Sequence, residues 1–156
     1  DRVLDCTLGL GTDASFLAAL TGETVVGIEA VPAMALFTAE GLRRAGHDVA
    51  VVCARALDVL RTLPDASFDV VQGDPMFPPG TGTTHSLDGV RAVAHYEPLG
   101  PEWLAHARRV ARKRVVMRDL PDGTLLARMG AEHVLPGRAH RPRYGWWAAT
   151  PRAPSP

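Results

Sequence analysis

The chain has 156 residues, 46% of them hydrophobic, which suits a single domain with a substantial core. No apolar run approaches the roughly 20 residues that a membrane-spanning helix needs, so a membrane partner is excluded. The net charge is zero, but residues 1–75 carry 5 Arg and 11 Asp or Glu, whereas residues 76–156 carry 12 Lys or Arg and 6 Asp or Glu. The basic half suits either a polyanionic partner or an ordinary solvated surface.

The cysteines and histidines indicate the compartment and argue against a metal. Cys6 and Cys53 each end an apolar run, which predicts buried free thiols in a reducing, cytoplasmic environment. The six histidines are scattered without metal-ligand spacing, so no metal site is predicted. The sequence begins inside a strand-like run without a Met, and we expect further residues upstream.

Strand-like and helix-like runs alternate along the chain. Strands are predicted at 2–6, 24–30, 48–54, 68–74 and 114–119, and helices at 12–22, 32–46, 56–64, 101–113 and 124–130. Thr12 or Asp13 is expected to cap the first helix and Gly22 to end it. A long Gly/Thr/Pro loop is predicted from about 78 to 90, and 132–137 and 143–150 are predicted to form a final antiparallel pair.

This alternation predicts an α/β fold. Short apolar strands between helices are typical of a parallel sheet covered on both faces, here a doubly wound, mostly parallel sheet that ends in an antiparallel hairpin. One domain is predicted over residues 1–150, followed by a disordered tail at 151–156. Such sheets bind ligands at the carboxyl ends of their strands, so the site is expected at the ends of strands one to four.

A glycine-rich turn follows the first strand in "DCTLGLGTDA". Asp5, Gly9 and Gly11 form an Asp-x-x-x-Gly-x-Gly turn, which allows a ligand to approach the backbone closely. The next helix would offer free N–H groups to an anion. A plain tight turn is one alternative. Another is a dinucleotide fingerprint, because Gly9-x-Gly11-x-x-Ala14 is followed 18 residues after Gly11 by an acid, Glu29.

Glu29 ends the second strand. A carboxylate there can accept hydrogen bonds from both hydroxyl groups of an adenosine ribose. The structural alternative is an exposed acid at the end of a strand. The loop and the acid together indicate a nucleoside cofactor without saying which one.

The fourth strand runs into "FDVVQGDPMFPP". Its Asp74-Pro75-Met76-Phe77 resembles the Asp/Asn-Pro-Pro-Tyr/Phe element of class I methyltransferases that act on exocyclic amines. The resemblance implies that Asp74 and the Pro75 carbonyl accept hydrogen bonds from a planar NH₂ group and that Phe77 stacks on the base. The amine lone pair then points at the methyl sulfonium of S-adenosylmethionine (SAM), and catalysis is mostly orientation.

A longer resemblance covers roughly residues 2–120. The stretches "DCTLGLGTDASFLAAL", "GIEAVPAMALFTAEGLRRA", "DVVQGDPMFP" and "ARKRVV" are similar to the RsmJ family. That family has a Rossmann-like class I methyltransferase sandwich and methylates a guanine N2 of small-subunit ribosomal RNA (rRNA), which makes rRNA the implied partner. By this resemblance, the residues implied to bind SAM are Thr12, Asp13, Glu29, Ala30, Arg55, Ala56 and Asp74.

The chain departs from the family at three places. The family has a Lys-rich segment after Phe77-Pro78, where this chain has a Gly/Thr loop with Arg91 as its single Arg or Lys. After strand three, Arg55 replaces a short polar residue and cannot accept a hydrogen bond from adenine, so a backbone carbonyl must accept it or Arg55 stacks on the ring. After strand five, Arg118-Asp119-Leu120 stands in place of Lys-Arg-Pro.

The departures keep other functions open. The chain could methylate a small-molecule or protein amine, or be a non-catalytic binding module with a methyltransferase fold. The glycine turn also permits a nicotinamide-dependent oxidoreductase.

Smaller features have structural and functional interpretations. Trp146 and Trp147 alternate on the last strand, so one is expected in the core and the other outside. The basic run 108–114 is expected to be a solvated helix face, with an RNA-binding patch as the alternative. His85 and Tyr96 are candidates for target contact.

Overall fold

The computed structural model describes residues 1–77, 88–96, 99–136 and 141–151. Most of the loop predicted from about 78 to 90, with the candidate His85, and residues 152–156 of the predicted tail lie outside the described residues.

The described chain contains seven strands and six helices. The strands are β1 (Val3–Asp5), β2 (Val25–Glu29), β3 (Val49–Cys53), β4 (Phe68–Gly73), β5 (Ala111–Asp119), β6 (His133–Val134) and β7 (Arg143–Ala148). The helices are α1 (Thr12–Thr21), α2 (Pro32–Ala45), α3 (Ala56–Thr62), α4 (Asp88–Arg91), α5 (Pro101–Val110) and α6 (Thr124–Arg128).

The strands form one sheet in the order β3-β2-β1-β4-β5-β7-β6. The first five strands in this order are parallel, and β7 pairs antiparallel with both β5 and β6. This confirms the predicted doubly wound sheet with an antiparallel end. The chain leaves β1 toward β2 and returns on its other side as β4, which makes the β1/β4 boundary the topological switch point.

Two apolar clusters cover the two faces of the sheet. Leu4 belongs to a large cluster that includes Trp103 and Trp147, whereas its neighbour Val3 packs in a smaller cluster with Ala14 of α1. Successive strand residues point to opposite faces, which explains this division. The same alternation confirms the prediction for the tryptophan pair, because Trp147 is buried and Trp146 is partly exposed and stacks on His133.

Several local predictions were wrong. Helix α5 ends at Val110, not at residue 113, because buried Ala111 already has extended backbone and pairs with Phe68 of β4. The cap of α1 is Gly11, whose φ of 76° suits glycine, and not Thr12 or Asp13.

The cysteine prediction was half right. Cys6 is buried, but Cys53 is exposed because it ends β3, which lies at the edge of the sheet. Among the described residues, no helix is long and apolar enough to cross a membrane.

Gly73 sits where α5 packs against the end of β4, and we expect Gly73→Ala to destabilise the fold. A Cβ atom at this position would lie 2.5 Å from Leu99 Cδ1 and 3.1 Å from the Trp103 ring, and both side chains are buried. Overpacking of this kind costs about 1–3 kcal/mol, which urea denaturation would measure. The control is Gly41→Ala in the exposed middle of α2, where nothing lies within 4 Å and a gain of about 0.5–1 kcal/mol is expected. Equal effects of the two substitutions would contradict this account.

Candidate functional site

A cleft with about 600 Å³ of empty space, part of it open to solvent, lies at the carboxyl ends of the central strands. Its lining residues come from the end of β2, from the segments that follow β1 to β4 and from the stretch before α5. They are Cys6, Thr7, Gly9, Ile28, Glu29, Ala30, Met34, Ala54, Ala56, Asp74, Pro75, Met76, Ala94, His95 and Leu99. The cleft lies where the topological switch predicts a ligand site.

The glycine-rich loop after β1 is held against the end of β2. Leu8 N donates to Ile28 O over 2.9 Å, and Gly11 N closes the turn by donating to Leu8 O. Gly9 has a φ of 53°, a value that glycine adopts without strain. Gly27 on β2 leaves room for the Leu8 side chain, which would lie 2.5 Å from a Cβ atom at that position. The loop thereby brings the backbone of Gly9 to the cleft.

Glu29 lies between this loop and the start of α2. Its Oε2 accepts from Gly9 N over 3.0 Å, and its Oε1 accepts from Val31 N over 2.8 Å. The residue is 8% exposed and lines the cleft. A carboxylate has about four acceptor positions, so one lone pair on each oxygen remains to accept a hydrogen bond from a hydroxyl group of a ligand.

Asp74 is anchored through both its backbone and its side chain. Its backbone N–H donates to Thr7 Oγ1 over 2.7 Å, which ties the segment after β4 to the segment after β1. Its Oδ2 accepts a hydrogen bond from Arg118 Nη1 at 2.5 Å. Burial raises the pKa of the Asp74 carboxyl, and the charge and hydrogen bond of Arg118 oppose that rise.

Asp5 is a second acid, buried beneath the same loop. Burial is the main cause that raises its pKa to about 6, and the charges of Asp13 and Asp74 act in the same direction. The hydrogen bond from Thr7 N to Asp5 Oδ1, 3.0 Å long, acts against this rise.

The structure brings some of the predicted site residues to the cleft and places others outside its lining. Gly9, Glu29, Ala30, Ala56, Asp74 and Pro75 line it, whereas Asp5, Gly11, Thr12, Asp13, Arg55 and Phe77 do not. Asp13 is nevertheless close enough for its charge to raise the pKa of Asp74. Thr12 lines a separate groove between α1 and α2, and exposed Arg55 is the residue before α3.

Sequence reasoning missed several residues of the site. Thr7, His95 and Leu99 line the cleft, and Arg118 contacts Asp74. Thr7 lies inside the Asp-x-x-x-Gly turn and could have been found as a strand-end hydroxyl. The others depend on tertiary placement, and no local pattern marks them.

The basic run 108–114 lies away from the cleft. Arg108 pairs with Glu132, and Arg109 pairs with Asp65 while donating to two backbone carbonyls. Lys113 contacts Asp1. These partners lie around the amino ends of β4 and β5, whereas the cleft lies at the carboxyl ends of the strands. The expectation of a helix face holds only to Val110, because Ala111 begins β5.

In the part of the chain that the structure describes, no group of three or more His, Cys, Asp or Glu side chains could hold a metal ion.

Residues 1–143 match the family model described as "Putative SAM-dependent methyltransferase". The chain belongs to this SAM-dependent methyltransferase family. The family assignment selects among the cofactors that the glycine turn left open and excludes the nicotinamide-dependent oxidoreductase. The family assignment agrees with the sheet topology, in which five parallel strands are followed by an antiparallel β7 that lies between β5 and β6.

Similar proteins include members with a named activity. Ribosomal RNA small subunit methyltransferase J of Alkalilimnicola ehrlichii is 36% identical over 90% of this chain and 58% of its own length, and that of Hahella chejuensis is 38% identical over 75% and 47%. The uncharacterized protein YpiP of Bacillus subtilis is 37% identical over 76% of this chain and 51% of its own length. The chain therefore spans about half the length of these curated relatives.

A solved structure shares the fold over nearly the whole chain. The SAM-dependent methyltransferase NGO1261 of Neisseria gonorrhoeae superposes with a TM-score of 0.69 and 25% identity over 97% of this chain and 67% of that one. A geranyl diphosphate methyltransferase in complex with SAM has the same fold, with a TM-score of 0.56 over 76% of this chain and 41% of its own, at 20% identity.

Asp5→Asn is expected to change how the stability of the fold depends on pH. Because the folded-state pKa of Asp5, about 6, lies above its ordinary value of 3.8, folding is weakened as pH rises through this interval and Asp5 ionises. The asparagine variant lacks this penalty, and each unit of pKa difference corresponds to about 1.4 kcal/mol. The free energy of unfolding of the variant, relative to the unaltered protein, should therefore increase between pH 4 and pH 7. Urea denaturation at both pH values measures this difference. The control is Asp58→Asn, which changes an exposed residue of α3. If the relative free energy of unfolding of Asp5→Asn changed as little between pH 4 and pH 7 as that of the control, the expectation would be contradicted.

Proposed function

We propose that this chain carries the cofactor-binding and catalytic region of a SAM-dependent methyltransferase that acts on an exocyclic base amine, namely guanine N2 of small-subunit rRNA. One observation carries the proposal. Glu29, suited to a ribose, and Asp74-Pro75, suited to a planar amine, line the same cleft.

The cofactor half of the cleft fits an adenosyl group. Glu29 has a free acceptor position on each oxygen for the ribose hydroxyls, and its geometry is fixed by Gly9 N and Val31 N. Ala54, Ala56 and Leu99 offer apolar surface for a flat ring. Arg55 does not line the cleft, so a backbone carbonyl in this segment would accept from the adenine amine. When bound, SAM supplies an electrophilic methyl group.

The amine half of the cleft is formed by the segment after β4. Asp74 Oδ1 and the Pro75 carbonyl would accept the two N–H groups of the amine and hold its lone pair toward the cofactor. Proline suits this position because it fixes the backbone and has no N–H that competes. Phe77 is half-buried and follows this pair, where it would stack on the base after the nucleotide has flipped out.

The rRNA substrate rests on the relatives, whose names include ribosomal RNA, and on the resemblance of "DVVQGDPMFP" to the RsmJ motif. The protein would act in the cytoplasm, where this RNA is made. A small-molecule or protein amine is the second candidate, and the placement of the basic run favours it. The run lies near the amino ends of the strands, away from the cleft, and several of its charges are paired.

Glu29→Gln is expected to weaken cofactor binding. Loss of the charged acceptor should lower the affinity for S-adenosylhomocysteine about 10–100-fold, since a hydrogen bond to a charged group contributes about 1.5–3 kcal/mol. Isothermal titration calorimetry measures this, with NADH in a parallel titration, which should show no binding. The matched control is Glu23→Gln in the exposed turn after α1, which should bind like the unaltered chain. Binding of NADH but not of S-adenosylhomocysteine would refute the proposed cofactor.

Asp74→Ala is expected to lower methyl transfer strongly while the cofactor still binds. We expect kcat to fall about 100-fold or more, because the amine loses its charged acceptor. The assay follows tritiated methyl transfer to small-subunit rRNA isolated from cells lacking the modification, with free guanine nucleotides and amine metabolites in parallel. The control is Asp58→Ala, which removes an exposed acid of α3. Full activity of Asp74→Ala would refute the proposed role, and transfer to a metabolite but not to RNA would favour the second candidate.

A further inference from the structure

We propose that Arg118 is a positioning residue for methyl transfer: its guanidinium holds one oxygen of the Asp74 carboxylate so that the other oxygen, still charged, faces the amine. This rests on the proposed function, because it assumes that Asp74 accepts from the amine.

The sheet places the two side chains together. Met117 of β5 pairs with Gly73 of β4, so Arg118 and Asp74 each lie one residue further along neighbouring parallel strands. Arg118 Nη1 lies 2.5 Å from Asp74 Oδ2, and the side chains of Arg118 and Asp74 are 36% and 24% exposed. This partial burial makes the contact stronger than an ordinary surface ion pair. Oδ1 remains for a ligand.

The two oxygens of Asp74 therefore have different environments. Thr7 Oγ1 fixes the backbone of the residue, Arg118 fixes Oδ2, and Asp74 lines the cleft. A carboxylate held at both its backbone and one oxygen cannot rotate freely about χ2. An orientation of this kind is what methyl transfer by alignment requires.

The guanidinium of Arg118 has no other carboxylate partner that competes with Asp74 among the described residues. Its Nε is buried without a hydrogen-bond partner there. The neighbouring acid, Asp119, accepts from Leu120 N and Leu126 N instead, on the opposite face of the strand. The cost of partly burying Arg118 is thus offset mainly by Asp74.

Arg118 also supplies a positive charge among the acidic side chains around Asp74. The charged and titratable groups that interact electrostatically with Asp74 are Asp5 from β1, Asp13 from α1, Arg118 from β5 and Tyr144 from β7, and those that line the same cleft are Cys6, Glu29 and His95. Burial and Asp13 both raise the pKa of the Asp74 carboxyl, and Arg118 lowers it. Without Arg118, Asp74 would bind a proton at higher pH and lose an acceptor lone pair.

The test compares the pH dependence of methyl transfer for Arg118→Gln, Arg118→Lys and the unaltered protein. We expect Arg118→Gln to lower kcat at pH 7 about 10–100-fold, with a change in KM of less than about threefold, and to move the acidic limb of the kcat profile to higher pH. Arg118→Lys keeps the charge, so its acidic limb should stay near that of the unaltered protein. Arg128→Gln, an exposed arginine at the end of α6, is the matched control.

The outcomes separate this inference from the proposed function. If the unaltered protein and the Arg128→Gln control transfer methyl groups and Arg118→Gln has the same kcat and the same acidic limb, the positioning role is refuted. If the unaltered protein binds S-adenosylhomocysteine but modifies neither RNA nor amines, the proposed function fails. The position of Arg118 is then tested by the carboxyl ¹³C titration of Asp74, which needs no substrate and should move to higher pH in Arg118→Gln.

A folding defect in Arg118→Gln would itself be informative. A partly buried Asp74 without its counter-charge should destabilise the fold, and the double variant Asp74→Asn/Arg118→Gln should recover part of that loss. An equal loss of stability in the single and double variants would overturn the inference.

Discussion

The hydrogen bond between the Asp74 backbone and Thr7 is the contact on which the site depends. The two residues follow neighbouring parallel strands at the topological switch point between β1 and β4, so the loops after these strands diverge to opposite sides. A cleft forms because the loops separate, and it keeps its shape because this contact holds their first residues together. Asp5 supports the contact from below by accepting from Thr7 N.

The sequence predicted the sheet well because its strands are short apolar runs with clear ends. Glu29 was predictable as a strand-end acid, since a charge directly after "VVGI" has no place in the core. The boundary between α5 and β5 was not predictable. The run "RRVARKR" contains no proline or glycine, so only the pairing of Ala111 with Phe68 decides where the helix ends.

The sequence predicted individual residues of the candidate site but not the contacts between distant residues. The motif after β4 indicated Asp74 and Pro75 as ligand-facing residues, and both line the cleft. No local pattern connects Asp74 with Arg118, because 44 residues separate them and their contact depends on the register of two strands. Arg55 shows the opposite case: the sequence suggests an obstacle to adenine, whereas the fold turns this residue to the exposed start of α3.

The difference between the two cysteines makes the chain convenient for labelling. Both lie in described parts of the structure; Cys53 is exposed, whereas Cys6 is buried and its thiol pKa is raised mainly by that burial. A maleimide dye should therefore react with Cys53 and spare Cys6. Cys53 is paired with Glu29 in the sheet, so a fluorophore there would lie beside the end of the cleft that Glu29 lines. The native sequence thus already provides a single attachment point for an optical sensor of ligand occupancy.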